Sequence, residues 1–144
     1  MGFKAVDHSV NVIAFEKQGK KYAMTCAWAM MVDYDKLVCL IGAQSVTGKN
    51  ICKNDFIGVS ALNKKQKDIA ERLGETHSDE TDKLKDLEVE YNDTAIIIKR
   101  ASRQMICRVI DILHLKGIEE DNLVYLQIVE SEEYNENFLH MSEM

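Results

Sequence analysis

The sequence contains no proline among its 144 residues, and it has no long apolar run. Without proline, the chain has no cis-proline turn and no rigid proline-rich linker. A transmembrane helix needs about 20 consecutive apolar residues, and no stretch approaches that length. The first residues also lack the apolar centre of a signal peptide. These absences predict a cytoplasmic protein that does not associate with a membrane.

Positive charge is scarce as well, since 18 lysines and arginines face 24 aspartates and glutamates, which leaves a formal net charge of -6. The longest basic run, Lys64-Lys65-Gln66-Lys67, is followed at once by acidic residues, which is typical of a solvated helix face. No basic patch of the kind that binds nucleic acid emerges from the pattern. We therefore expect no nucleic-acid partner.

Cysteines are few and isolated: Cys26, Cys39, Cys52 and Cys107 form no Cys-x-x-Cys pair. The four histidines do not stand at zinc-ligand spacing from them, so we expect free thiols and no metal. No Ser/His/Asp order or pair of carboxylates is distinctive of a hydrolase.

Length and alternation predict one domain over residues 1–144 that is mainly β with short helices. The predicted strands cover residues 10–15, 23–32, 37–42, 55–62, 95–99, 104–115 and 123–129. Val10, Val12 and Ala14 should share one face of the first strand, and Gly58 permits either a bulge or a close backbone approach. Asn63 should cap a helix over residues 64–73, which Gly74 ends. Six or seven strands joined by short turns favour a closed or partly open β-barrel.

The most informative stretch covers residues 22–50, where two apolar strands lead into a loop rich in hydroxyl groups. Ser45, Thr47 and Lys49 supply two hydroxyls and a cation, and a helix that follows a strand offers unpaired N–H groups to an anion. The loop is not a nucleoside-triphosphate loop, because five residues rather than four separate Gly42 from Gly48. The loop is instead predicted to bind a single phosphate group through Ser45, Thr47 and Lys49. A solvated turn in which Thr47 caps the helix explains the same composition.

The one tryptophan, Trp28, lies in the first of these strands, directly after Met24, Thr25, Cys26 and Ala27. An aromatic strand beside a phosphate-binding loop would suit a bound nucleotide or flavin mononucleotide. A tryptophan on an apolar strand more often belongs to the core than to a cofactor site, and that is the alternative interpretation of Trp28.

Three longer motifs occur in a recognisable order. They are YAMTCAWAMMVDYDKLVCLIGAQSVTGKNI, DFIGVSALNKKQKDIAERLG and THSDETDKL. The first resembles an N-x-M-T-x-S-W strand with an acidic turn and a Ser/Thr-rich helix start. The second resembles an F-x-x-N-x-L strand with its helix, and the third an H-S-x-x-x-D-K-F segment. This ordered set resembles the flavin reductase-like family of FMN-binding split-barrel proteins, which includes flavin reductases and flavoredoxins.

The resemblance implies an FMN-binding split β-barrel with NADH or NADPH as co-substrate, and it assigns no catalytic residue. Residues 75–93 are the most polar part of the sequence and predict a surface excursion with one short helical turn and no strand. The cofactor-binding residues that the resemblance implies are Thr25, Cys26, Ala27 and Trp28 at the ring, with Met24 beside them; Ser45, Thr47 and Lys49 at the phosphate, with Gln44 and Asn50 in the same loop; Ser60 and Ala61 beneath the flavin or ribityl chain; and His77 and Lys83 on this polar excursion. A histidine that family members often carry near the end of the barrel would fall near Asn122 in this sequence.

The implied function is that of an NAD(P)H:flavin oxidoreductase. It would pass electrons from a pyridine nucleotide through bound FMN to free flavin, a ferric chelate or a protein acceptor. Two other functions fit the same residues: a non-enzymatic FMN electron carrier of the flavoredoxin kind, reduced by a redox partner protein, and a flavin-free split barrel that only dimerises. The resemblance also implies a homodimer.

Overall fold

The computed structural model describes residues 5–42, 45–75 and 84–144. The strands of this part are β1 (Asn11–Lys17), β2 (Lys20–Cys26), β3 (Ala29–Asp33), β4 (Lys36–Gly42), β5 (Phe56–Ala61), β6 (Val89–Asn92), β7 (Ala95–Ile98), β8 (Arg103–Leu113) and β9 (Asp121–Glu133). The helices are α1 (Val46–Lys49) and α2 (Lys67–Glu75), with single 3₁₀ turns η1 (Lys64–Gln66) and η2 (Met141–Glu143). The predicted fold class, mainly β with short helices, is confirmed.

The strands form one antiparallel sheet that curls on itself. Eight of them follow the order β3-β4-β9-β8-β5-β1-β7-β6, and β2 pairs with β1 outside this path. β1 lies at the junction: its first half pairs with β5, and Phe15 then lies opposite Ala95 of β7. The Cys26 thiol at the end of β2 donates to the carbonyl oxygen of Leu40 in β4 across 3.8 Å. The two sides of the sheet therefore meet, which gives a partly open barrel.

Alternation along β1 divides the core into two apolar clusters. Ile13 and Phe15 are buried inside the barrel. Val12 and Ala14 are buried on the opposite face, where Leu73 of α2 covers them. The two-faced alternation that residues 10–15 predict is confirmed.

β5 and β7 approach each other closely at Gly58. A Cβ atom at this position would overlap the carbonyl oxygen of Ile96, which belongs to the backbone and cannot rotate away. Only glycine fits such an approach without moving a strand. The close backbone approach predicted at Gly58 is confirmed.

The continuous strand predicted over residues 23–32 is wrong, because the chain breaks between β2 and β3. β2 pairs with β1, whereas β3 pairs with β4, so the chain changes partner strand at Ala27 and Trp28. At this crossover the carbonyl oxygen of Trp28 accepts from the amide of Leu40 at 2.8 Å. Apolar residues continue through the break, so their pattern carried no sign of it.

Three smaller predictions also differ from the structure. The N-cap of α1 is Ser45 and not Thr47, because the Ser45 hydroxyl accepts from the amide of Gly48 at 2.8 Å. Gly74 lies within α2 and does not follow it, whereas the predicted cap at Asn63 is confirmed. The described residues hold nine strands where six or seven were predicted, and β6 lies in the polar segment that was expected to have no strand.

Within the described ranges, no helix is long and apolar enough to cross a membrane. The same residues contain no group of three or more histidine, cysteine or acidic side chains placed to hold a metal ion.

Candidate functional site

A cavity of about 530 Å³ opens where β2 ends and the chain crosses to β3. Five consecutive residues that the sequence singled out contribute to its wall, and residues from β4 and both ends of the described chain complete it. The lining residues are Met24, Thr25, Cys26, Ala27, Trp28, Leu40, Ala5, Val6, His8 and Met141. The structure therefore brings together the ring-binding group that the resemblance predicts.

In the part of the chain that the structure describes, two backbone donors at the crossover have no protein acceptor. The carbonyl oxygens are used: Ala27 accepts from the amide of Ala29 at 3.0 Å, and Trp28 accepts from that of Leu40. Among the hydrogen bonds of the described residues, the amides of Ala27 and Trp28 donate none. A backbone N–H group without an acceptor is uncommon unless water or a ligand satisfies it.

The Trp28 side chain is 63% exposed and forms part of the cavity wall, so it does not belong to the core. Val6, across the same cavity, is 61% exposed. Large apolar side chains that border one cavity offer a surface on which a flat aromatic ring can be buried.

Thr25 and Cys26 have their polar atoms engaged within the protein. The Thr25 hydroxyl donates to the carbonyl oxygen of Ala70 in α2 at 2.8 Å. The Cys26 thiol lies 3.7 Å from the carbonyl oxygen of Trp28 and 3.8 Å from that of Leu40. Both residues thus hold the crossover in place as well as lining the cavity.

A second buried thiol, that of Cys39, belongs to the same core cluster as Cys26. Interaction with this neighbouring thiol lowers the pKa of Cys26, whereas the same interaction and burial raise the pKa of Cys39 well above its usual value. Burial raises the pKa of Cys107 to about 12. Of these three thiols, the one at the cavity wall ionises most readily.

The residues predicted at the phosphate lie together around α1 but do not line this cavity. The Ser45 hydroxyl caps the helix, Thr47 is buried, and Lys49 is exposed. The Asn50 side chain donates to the carbonyl oxygen of Val46 at 2.7 Å. Of the predicted group, Lys49 therefore has the side chain most open to a ligand. Gln44, His77 and Lys83 lie outside the described residues.

Asn122 helps to hold α1 against the barrel. Its side-chain amide donates to the carbonyl oxygen of Gly48 at 3.3 Å, and the residue is buried. A Cβ atom on Gly48 would overlap the carbonyl oxygen of Gly42, so α1 is packed tightly onto the end of β4. The position where family members often carry a histidine is occupied here by a residue with a structural contact.

Ser60 and Ala61 lie away from the cavity beside Trp28. Ser60 is fully buried, and its hydroxyl accepts from the amide of Ile98 at 3.0 Å. Ala61 lines a different cavity, of about 430 Å³, which Met30 and Met31 of β3 also border. The structure does not bring these two residues together with the ring-binding group.

Sequence reasoning missed Ala5, Val6, His8, Leu40 and Met141 as cavity residues. The two chain ends reach the cavity through long-range pairing, since the amide of Met141 donates to the carbonyl oxygen of His8 at 2.8 Å. No local spacing in the sequence encodes such a contact. Leu40 had one usable signal, because it lies in the strand next to the aromatic one.

Comparison with protein families gives one match that spans nearly the whole chain. The profile of the Flavin reductase like domain matches residues 3–141. No curated protein sequence matches the chain.

Solved structures show the same fold at low sequence identity. A flavoredoxin from Methanosarcina acetivorans is 18% identical with a TM-score of 0.78, covering 92% of this chain and 74% of that one. The NADH:FAD oxidoreductase SgcE6 of Streptomyces globisporus C-1027 is 13% identical with a TM-score of 0.80, covering 90% and 77%. The flavin reductase PheA2 in its native state is 20% identical with a TM-score of 0.77, covering 94% and 85%. The predicted split-barrel fold is therefore confirmed.

Proposed function

Because the chain belongs to the flavin reductase-like domain family, we propose that it is a flavin-dependent oxidoreductase that binds FMN in the cavity beside Trp28. Electrons enter from NADH or NADPH and leave to free flavin, a ferric chelate or a protein acceptor. Bound flavin supplies the hydride and electron chemistry, and the chain supplies the walls and hydrogen bonds that hold it.

The unpaired amides of Ala27 and Trp28 are the observation that carries this function. A flavin ring has apolar faces and an edge of carbonyl oxygens and ring nitrogens that accept hydrogen bonds. The cavity offers the complement, with two free donors and the exposed face of Trp28. Its volume of about 530 Å³ lies within the roughly 300–1,000 Å³ of small-molecule sites.

Lys49 is the side chain that we assign to the FMN phosphate. It is exposed on α1, which follows β4 along the chain, and Leu40 of β4 belongs to the cavity wall. A lysine ammonium binds phosphate as a point charge without needing fixed geometry. Ser45 contributes by holding α1 through its cap. The predicted contacts from Gln44, His77 and Lys83 stay predictions.

Two successive measurements test this function. The protein is loaded with FMN, or with FAD in parallel, and freed of unbound ligand; absorbance bands near about 375 and 450 nm are expected with FMN. NADH and NADPH are then added without oxygen, and loss of the 450 nm band with either one is expected. Retained flavin that neither nucleotide bleaches would favour the electron carrier. A protein that retains no flavin would contradict the function altogether.

A second copy of the chain is the partner that we propose for β3. Among the described residues β3 ends the sheet order, so one of its edges is unpaired. Met30, Met31 and Val32 along it are between 48% and 59% exposed, and Tyr34 in the turn that follows is 96% exposed. An apolar edge strand of this kind pairs readily with another chain. Since Trp28 directly precedes β3, a homodimer formed there would put the cavity near the subunit interface.

Light scattering at micromolar concentration tests this homodimer. The unaltered chain is expected to be a dimer and Met31→Lys a monomer, because a charge would be buried in the apolar contact. Ile118→Lys is the matched control, since Ile118 is 40% exposed on the loop between β8 and β9. A monomer peak for the unaltered chain would contradict the proposal.

A further inference from the structure

Residues 5–9, here called the N-terminal strap, cross one side of the cavity and are tied to the other end of the chain. Ser9 forms an antiparallel bridge with His140, and the carbonyl oxygen of His8 accepts from the amide of Met141 at 2.8 Å. The Asp7 carboxylate accepts from the amide and hydroxyl of Ser142 at 2.9 and 2.8 Å. The position of His8 is thus set by contacts on both sides of it.

His8 differs from the other polar side chains of the cavity wall. The Thr25 hydroxyl donates to Ala70, and the Cys26 thiol faces two carbonyl oxygens. The imidazole of His8 is partly buried in the same wall, and it makes no hydrogen bond or ion pair within the described part of the chain. The His8 nitrogens are not among the buried unsatisfied side-chain atoms of the described residues, so they remain accessible to a ligand in the cavity, which can accept or donate a hydrogen bond there.

We propose that His8 is a ligand-binding residue whose imidazole hydrogen-bonds the polar edge of the heterocyclic ring held beside Trp28. This assignment rests on the flavin function proposed above and adds a side-chain contact from the N-terminal strap. An imidazole suits the role because it offers one donor and one acceptor when neutral. Because the other polar side chains of the wall are engaged within the protein, one such group helps to fix the orientation of the ring.

Fluorescence of Trp28 gives a direct binding assay, because it is the one tryptophan of the chain and lines this cavity. The flavin-free protein is titrated with FMN, and the dissociation constant is taken from the quenching of Trp28. His8→Phe keeps a flat ring and removes both polar atoms, so its dissociation constant should rise about fivefold to tenfold. His8→Gln restores a donor and an acceptor and should stay within about threefold of the unaltered protein.

His114→Phe is the matched control, because His114 is exposed on the loop after β8 and remote from the cavity wall. Its dissociation constant should not change. As a second readout, the imidazole proton resonances of His8 should shift when FMN is added, and those of His114 should stay in place. Equal FMN affinity in His8→Phe and the unaltered protein, or unshifted His8 resonances, would overturn this inference alone. Absence of quenching in the unaltered protein would overturn the flavin function together with it.

Discussion

The end of β2 and the end of β5 use their polar groups in opposite ways, although the family resemblance assigns both to the flavin. At the end of β2, the amides of Ala27 and Trp28 donate to no described group, and Trp28 is largely exposed. In β5, Ser60 is fully buried and its hydroxyl accepts the amide of Ile98. The Ser60 hydroxyl of β5 stabilises the fold, whereas the two backbone amides just after β2 remain available to a ligand.

This contrast shows why a motif match does not by itself identify a binding residue. A hydroxyl that already accepts a buried amide has a structural cost if it turns to a ligand, because the amide loses its partner. An unpaired amide at a cavity has no such cost and gains from binding. We therefore expect substitutions in β5 to affect folding and substitutions at the crossover to affect FMN binding.

The largest effect is expected from Gly58→Ala in β5. The added Cβ overlaps the carbonyl oxygen of Ile96, and moving two strands apart should lower the free energy of unfolding by about 3 kcal/mol. Gly74→Ala is the matched control, because its Cβ would lie 3.9 Å from Thr25 Oγ1 in ordinary contact. In helix α2 that change should add about 0.5 kcal/mol of stability. If urea unfolding showed that Gly58→Ala and Gly74→Ala lower the free energy of unfolding equally, the tight approach of β5 and β7 would be contradicted.

Ser60→Ala should lower the free energy of unfolding by about 1–3 kcal/mol, because the buried amide of Ile98 is left without an acceptor. The affinity of the folded protein for FMN should stay within about twofold. Ser131→Ala, an exposed serine on β9, serves as the control and should change stability by less than about 0.5 kcal/mol. A Ser60→Ala protein of normal stability that has lost FMN binding would remove the contrast between the strands.

Trp28→Ala should weaken FMN binding and leave stability nearly unchanged, which is the opposite of the result expected for Ser60→Ala. Because the side chain is 63% exposed, the free energy of unfolding should change by less than about 0.5 kcal/mol. Loss of an aromatic wall should raise the FMN dissociation constant about tenfold, measured by flavin absorbance after equilibrium dialysis. Tyr91→Ala on β6 removes a comparably exposed ring away from the cavity and should leave FMN affinity unchanged. Unaltered affinity in Trp28→Ala would contradict a flavin beside this residue.

The smallest effect is a difference in thiol labelling. Iodoacetamide reacts with thiolates, so Cys107, whose pKa burial raises to about 12, should stay unlabelled in the folded protein at pH 8. Cys52 is exposed and should react first. Cys26 should react next, because it borders the cavity and interaction with the Cys39 thiol lowers its pKa, and FMN should protect it. Labelling of Cys107 before Cys26 in mass spectrometry would contradict the arrangement of buried thiols.

Much of the fold follows from local patterns that the sequence displays. Alternation over residues 10–15, the glycine at Gly58 and the cap at Asn63 each reflect a requirement within a few residues of the chain. The break at Ala27 and Trp28 could not be predicted in this way. Apolar periodicity reports burial, and it contains no information about which strand a residue pairs with.

The candidate site was predictable only where one segment builds it. Residues 24–28 are consecutive, so one motif identified five members of the wall. His8 and Met141 join them because the two chain ends pair, and Asp7 and Ser142 of that pairing lie 135 positions apart. The hydroxyl of Ser60 has the right chemistry for a ligand, but its burial against β7 depends on tertiary packing that composition does not encode.

Amide chemical shifts test the central contrast most directly. In a two-dimensional ¹H–¹⁵N NMR titration with FMN, the amide resonances of Ala27 and Trp28 should show the largest shifts, because both groups acquire an acceptor. The amide of Ile98, already bonded to Ser60, should hardly move. Large shifts at Ile98 with none at Ala27 and Trp28 would contradict a flavin site at the β2–β3 crossover.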